Sequence, residues 1–392
     1  MRKRLNFFLE PFRTFLRWES SSGILLLACA ILALIFANSP LAASYERILH
    51  LPIALRVGDF HFELSLLHWI NDGFMGVFFF AIGLEVKREF MYGELRSRSA
   101  SLLPVTAALG GMVVPALFYA AINFGTPTFG GWGIPMATDI AFTLGVMAMA
   151  ARSAPIGLVV FLTALAIVDD LGAIVVIALF YNTALNSSAL LLGLFAVSCA
   201  FLCGRAGVRT IGAYLIIGAA AWLSFFYAGI HPTIAGVLLG FAIPIAKDPE
   251  KSLLHKLENQ LEPWSAYVIM PIFALANAGV AISFSSFDFA SPILLGIVAG
   301  LCLGKPLGIV GAVFLMNRLF HVPVPGAASN GQAIATGMLG GIGFTMSIFI
   351  ASLAFDDAAM LDQAKIAVLF ASLLSGVMGS IAFRLARNTA AE

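Results

Sequence analysis

Two aspartates stand side by side, Asp169 and Asp170, near the middle of Phe161–Phe180, a run whose other members are apolar or small apart from Thr163. A charge at the centre of a membrane helix costs at least a few kcal/mol, so ionisable residues persist there mainly for function. Successive helix positions point about 100° apart, so the two carboxylates bracket a cavity between helices without sharing one face. In a poorly solvated cavity they repel each other when ionised and hold protons more firmly. Protons and a small cation then compete for one site, and one sodium ion displacing two protons moves net charge. The bland alternative, two packing residues bonded to Ser or Thr, doubles the burial cost where one aspartate would serve.

Two further constellations offer partners. The stretch Trp132-Gly-Ile-Pro-Met-Ala-Thr-Asp-Ile-Ala-Phe-Thr-Leu-Gly145 puts Thr138 and Asp139 in an apolar span interrupted by Gly133 and Pro135. A broken helix exposes carbonyls and half-helix ends that coordinate cations at mid-membrane, and Asp139 also suits the positive end of a half-helix. Lys305 lies in an apolar run where Gly296, Gly300, Gly304 and Gly308 recur at every fourth position, a groove for close helix packing. A buried ammonium needs a carboxylate, and Asp169 and Asp170 are the natural partners; the alternative is a lysine snorkelling to one interface. Sodium arriving at the pair would displace it. Asp72, in Trp69-Ile-Asn-Asp-Gly73, reads as a polar cap at the outer start of the second span. Glu85 and Glu89, one turn apart near that helix's cytoplasmic end, read as a solvated terminus paired with Lys87 and Arg88.

Other chemistries do not fit. An intramembrane aspartyl protease using Asp139 and Asp169 calls for Gly-x-Gly-Asp, but Ala166 and Val168 precede Asp169. A prenyl transferase calls for Asp-Asp-x-x-Asp, but Leu171, Gly172 and Ala173 follow Asp170. A cation channel, or a transporter coupling sodium to an organic solute, is the closer rival; neither a symmetric pore ring nor a cluster of solute-recognising residues is evident.

The elements that hold these residues are membrane helices. Of 392 residues, 60% are hydrophobic and 11% charged, against roughly 45–50% and about 25% in a soluble domain. Apolar runs long enough to cross hydrocarbon begin at about twelve places, 20–38, 67–84, 102–122, 133–150, 156–181, 189–204, 211–228, 230–246, 264–281, 293–316, 333–355 and 364–383. The pair between 211 and 246 also reads as one segment interrupted by Gly229, His231 and Pro232. The first run reads as an anchor in preference to a cleaved signal peptide. Eighteen of the 22 basic residues fall on one side, including Arg2, Lys3, Arg4, Arg13 and Arg17 before the first span, and only Arg47, Arg56 and Lys365 fall opposite. An even span count with both termini cytoplasmic follows, in a bacterial inner membrane. The net charge of +1 leaves no basic face for nucleic acid. Cys29, Cys199, Cys203 and Cys302 match no zinc spacing and read as small core residues. Ile53–Val57 and Phe60–Leu64 around Gly58-Asp59 read as a short hairpin outside the membrane.

Ile140-Ala-Phe-Thr-Leu-Gly145 is similar to Ile342-Gly-Phe-Thr-Met-Ser347, each in an interrupted span. Seven spans separate the copies, so they run in opposite directions, as in inverted repeats.

Together these motifs carry a family resemblance. Ala137-Thr-Asp-Ile-Ala-Phe142, Ala166-Ile-Val-Asp-Asp-Leu-Gly-Ala173, Gly304-Lys-Pro-Leu-Gly308, Gly341-Ile-Gly-Phe-Thr-Met-Ser-Ile-Phe349 and Phe78-Phe-Phe-Ala-Ile-Gly-Leu-Glu-Val-Lys-Arg-Glu89 occur in order over nearly the whole chain. The chain resembles the NhaA-type sodium/proton antiporters, themselves a standard illustration of inverted repeats. The resemblance implies an all-α polytopic protein of about twelve helices, residues 1–392 forming one membrane domain, with repeat units at about 100–182 and 292–385. It implies broken, crossing fourth and eleventh spans and exchange of Na+ or Li+ for H+, with no cofactor. Asp169 and Asp170 match the ion-binding pair, Thr138 and Asp139 the crossing point, and Lys305 the buried lysine. Asp170 then reads as the direct ligand and Asp169 as the partner of Lys305. The resemblance further implies homodimerisation through the hairpin at about 45–66, and alkaline activation sensed by Glu85, Glu89, Glu258, Glu262 and His231. The family's pattern has histidines after the glutamate matching Glu258; here those positions hold Asn259 and Glu262.

Overall fold

A computed structural model describes residues 21–58, 60–150, 154–182, 185–246, 248, 252–282 and 290–388. The basic residues Arg2, Lys3, Arg4, Arg13, Arg17, Arg152, Lys247 and Lys251, on which part of the orientation rests, lie outside the described residues. So does Asp59 of the hairpin turn.

In hydrocarbon each backbone N–H and C=O must be satisfied inside its own segment, which makes every apolar run helical. The order is α1 (Ser21–Ala37), α2 (Ala42–Leu49), strands β1 (Pro52–Val57) and β2 (Phe60–Ser65), α3 (Leu66–Met91) and α4 (Arg98–Ile122). A 3₁₀ segment, Pro127–Met136, precedes α5 (Ile140–Ala150), α6 (Ile156–Phe180), α7 (Ser187–Arg205), α8 (Ile211–Ala228) and α9 (Thr233–Ala242). The chain ends with α10 (Leu253–Trp264), α11 (Met270–Asn277), α12 (Pro292–Phe320), α13 (Asn330–Leu339), α14 (Phe344–Ala354) and α15 (Ala358–Asn388).

Among the described residues, seven helices are long and apolar enough to cross a bilayer, or up to ten spans if each of three bent pairs counts as one. The short apolar α9 and the α10–α11 stretch, which fall at the eighth and ninth apolar runs of the sequence, are not among these ten. One boundary differs from the sequence reading. The ninth segment starts at Leu253, well before the apolar run at 264, because α10 is amphipathic and buries only Leu253, Leu254 and Leu257. The runs 211–228 and 230–246 are separate helices, as their separate bounds anticipate, and not one interrupted segment: Gly229 closes α8 in the left-handed region (φ +77°), a conformation glycine adopts without strain.

The chain divides into two compact units. The first takes in residues up to Cys29, Arg98–Ala173 and Ile282–Glu392. Its spine is α4 against α12, and here the four-residue glycine repeat is used. A Cβ on Gly308 would overlap the Gly110 carbonyl, and one on Gly304 would overlap Pro115.

The second unit takes in Ala30–Ser97 and Ile174–Ala281. In it α3 packs against α9, where a Cβ on Gly236 would overlap the Gly76 carbonyl. The two strands pair antiparallel, from Pro52 opposite Ser65 to Val57 opposite Phe60. Phe62 anchors this hairpin by edge contacts to Trp69 and Phe226, with ring centroids 5.8 and 5.3 Å away. The segment before the hairpin is not plain loop: α2 turns 115° from α1 and buries none of its residues. All four cysteines are free, with Cys302 buried and the others half-buried.

Candidate functional site

Pro135 lacks an N–H, and the Gly340-Gly341 pair interrupts α13, so both Pro127–Ala150 and Asn330–Ala354 break in mid-course. The breaks bend the paths by 50° and 44°. Each leaves backbone groups without intrahelical partners, and the two breaks supply one another. The Asp139 N–H donates to the Ile342 carbonyl at 2.7 Å. The Thr138 hydroxyl donates to the Gly340 carbonyl at 2.9 Å, and the Ser347 hydroxyl to the Ile134 carbonyl at 2.8 Å.

Asp139 sits between two half-helix starts. Its Oδ1 accepts from the Phe142 N–H at 2.9 Å, capping α5. Its Oδ2 accepts from the Thr345 N–H at 3.2 Å and from the Thr345 hydroxyl, capping α14. Both helix starts carry partial positive charge, so one fully buried carboxylate neutralises both. The Ser372 hydroxyl holds the first N–H of α14, from Phe344, at 3.0 Å.

Lys305 lies among these groups and is completely buried. Its ammonium donates to Asp169 Oδ2 at 2.6 Å and to the Met136 carbonyl. Met136 ends the first half of the broken fourth span, so its carbonyl lies at the negative end of that half-helix. The lysine therefore joins a carboxylate and a helix C-terminus, while Asp139 joins two helix N-termini. Thr138 stands beside the Asp169 carboxylate, whose Oδ1 accepts no hydrogen bond of ordinary geometry. Asp170, next along α6, is 2% exposed. Together these groups put the Asp169 carboxylate and the unwound Met136 carbonyl on one ammonium, with Thr138 beside Asp169 and the buried Asp170 next along the helix. Oxygen ligands of this kind suit a small hard cation.

A second polar group lies in the other unit. Glu85, Arg88 and Glu89 share one face of α3, and His255, Glu258, Asn259 and Glu262 share one face of α10. Arg88 joins the two faces, with Nη1 2.5 Å from Glu89 Oε1 and Nε 2.6 Å from Glu258 Oε1. His255 Nδ1 is 3.9 Å from Glu258 Oε2, and its Nε2 is 3.2 Å from the Asn259 amide. Lys87 does not pair with these glutamates as the sequence suggested. It donates to the Phe241 and Ile243 carbonyls at 2.7 and 2.5 Å, closing the C-terminus of α9.

His231 is not brought to that group. Its Nδ1 is 2.7 Å from the Thr233 hydroxyl, and its Nε2 is 3.4 Å from Asp72 Oδ1. Asp72 precedes Glu85 by thirteen positions on one helical path, a separation of about 20 Å at 1.5 Å per residue. Asp72 is also not the helix cap expected of it: it lies within a π turn, Trp69–Phe74, and its carbonyl accepts the Trp222 indole N–H at 2.9 Å.

The family described as Na+/H+ antiporter 1 matches residues 13–383. The chain belongs to this family. The Na+/H+ antiporter NhaA 2 of Clostridium beijerinckii is 49% identical over 381 residues, covering 96% of this chain and 94% of that one. The NhaA of Citrobacter koseri is 47% identical, with 95% and 97% covered, and that of Shewanella frigidimarina 46%, with 94% of each.

Three groups of this antiporter-family chain escaped the sequence reading. Thr345 lay inside a quoted motif without a role; the repeated Phe-Thr pair, at Phe142-Thr143 and Phe344-Thr345, was its signal. His255 sits one turn before Glu258, where helical spacing alone would have placed it. Asn71 and Asn277, which exchange amide hydrogen bonds of 3.2 and 2.8 Å, are 206 positions apart and left no local trace.

Proposed function

We propose that this chain expels Na+ or Li+ from a bacterial cell in exchange for a larger number of protons, and so carries net charge inward. Asp169 and Asp170 form the shared site, with Asp170 as the direct cation ligand. The observation that carries the reading is the Lys305 ammonium, held by both Asp169 and the Met136 carbonyl. It stands where an arriving cation would need to be, so cation and ammonium compete for one carboxylate. Thr138 and the unwound backbone add neutral oxygens. Asp139 keeps the crossing electrically balanced while the site empties. Membership of the Na+/H+ antiporter family supports the choice of ions.

The finer parts of the proposal rest on separate observations. Opposite exposure of the site comes from repeat units at about 100–182 and 292–385 moving against the rest, supported by the two similar broken spans. Alkaline activation comes from the Glu85, Arg88, Glu89, Glu258 and Glu262 group; His231 is left out of it. The excess of Lys and Arg on one side supports cytoplasmic termini in the inner membrane. The exposed Ile53 and Leu55 of β1 support a homodimer through the hairpin.

The test uses inverted membrane vesicles holding a pH gradient. Na+ and Li+ should dissipate it at alkaline pH, K+ should not, and Asp170→Asn should remove the response. A gradient that persists after Na+ addition contradicts the proposal.

A further inference from the structure

Besides the ion site, the first unit has a groove of about 350 Å³ bounded by α1, α5 and α15. Glycines line it: Gly23 and Gly145 let α1 and α5 pack closely at its edge, and at Gly376 it is open, since a Cβ there would meet only Ile342 Cδ1, at 3.6 Å. Its walls are mostly apolar, with Ser372 and Ser380 among them, and its one charged lining residue among those described is Arg384. Arg384 is exposed and lies close to the end of the membrane-length stretch Ala358–Ala386. That is the level of lipid headgroups, where a basic side chain beside a helix groove meets anionic phosphate.

The groove also backs onto the crossing. Phe142 and Ser372 both line it. Phe142 donates its N–H to Asp139, and Ser372 holds the first N–H of α14.

We propose that this groove binds one acyl chain of an anionic phospholipid, with the phosphate on Arg384. The apolar walls recognise the chain, and the guanidinium selects the charge. A bound chain lies against residues one hydrogen bond from both half-helix starts, so the lipid supports the crossing from its far side.

Native mass spectrometry of the purified full chain, exposed to excess phosphatidylglycerol or phosphatidylcholine, tests this. The wild type should retain phosphatidylglycerol about fivefold better, as expected for one basic residue at the headgroup level. Arg384→Gln should retain both lipids equally, and Gly376→Phe, which fills the groove, should retain neither above detergent background. Equal preference in wild type and Arg384→Gln overturns the proposal, as does wild-type retention by Gly376→Phe. Arg384 is exposed, so its variant decides the matter if Gly376→Phe does not fold. If deleting residues 1–18 creates a lipid site that the wild type lacks, the chain's own N-terminal segment fills the groove and the proposal also fails.

Discussion

At the scale of single residues, the site is held by pairings whose loss is asymmetric. Removing one member of a buried ion pair leaves the other charge uncompensated, at a cost of about 3–5 kcal/mol, whereas removing both together is often close to neutral. Lys305→Ala should therefore lower the thermal unfolding midpoint sharply. Lys305→Met combined with Asp169→Asn should recover most of that loss without restoring exchange. Failure of the double variant to recover would mean that Asp169 is not the lysine's main partner. Asp139→Asn is the second test. The amide keeps one acceptor but turns an NH2 toward one set of donors, costing about 1–3 kcal/mol. Its unfolding midpoint should fall even with no sodium present, because the defect lies in the half-helix caps. The burial cost of Asp169 and Asp170 was plain in the sequence. The double capping by Asp139 was not, since Thr345 is 206 positions away and only the fold brings it near.

At the scale of elements, the glycine repeat of α12 was legible because its four-residue period is a packing signal in its own right. What fills the groove was not, because Gly110, Pro115 and Pro135 carry no matching period. Gly308→Val should prevent close approach to Gly110 and sharply reduce folded protein, since overpacking alone costs about 1–3 kcal/mol. Gly311→Ala, where an added Cβ meets nothing within 4 Å, should be neutral or stabilise by up to about 1 kcal/mol. Fluorescence-detected size-exclusion profiles of the two variants distinguish these outcomes. The start of α10 was misplaced for a related reason. Its Leu253, Leu254 and Leu257 face the core while its other side is polar, so mean hydropathy hides a helix that periodicity alone would reveal.

At the scale of the molecule, the apolar runs outlined the helices, because membrane insertion reads the same signal. Partners leave fainter marks. The proposed dimer rests on Ile53 and Leu55, 43% and 50% exposed on one strand, an exposed apolar patch of the kind that marks protein contacts. Replacing both with Glu should convert dimer to monomer in light scattering while each chain still exchanges ions. An unchanged mass would move the contact elsewhere.

The central claim is that sodium and protons compete for Asp169 and Asp170. Charge movement by purified protein in proteoliposomes, recorded over a matrix of pH and Na+ concentration, tests it most directly. The account predicts that lowering the pH raises the apparent KM for Na+ while saturating Na+ restores the maximal current. A fall in maximal current at unchanged KM would contradict it, by placing the proton at a different site from the cation.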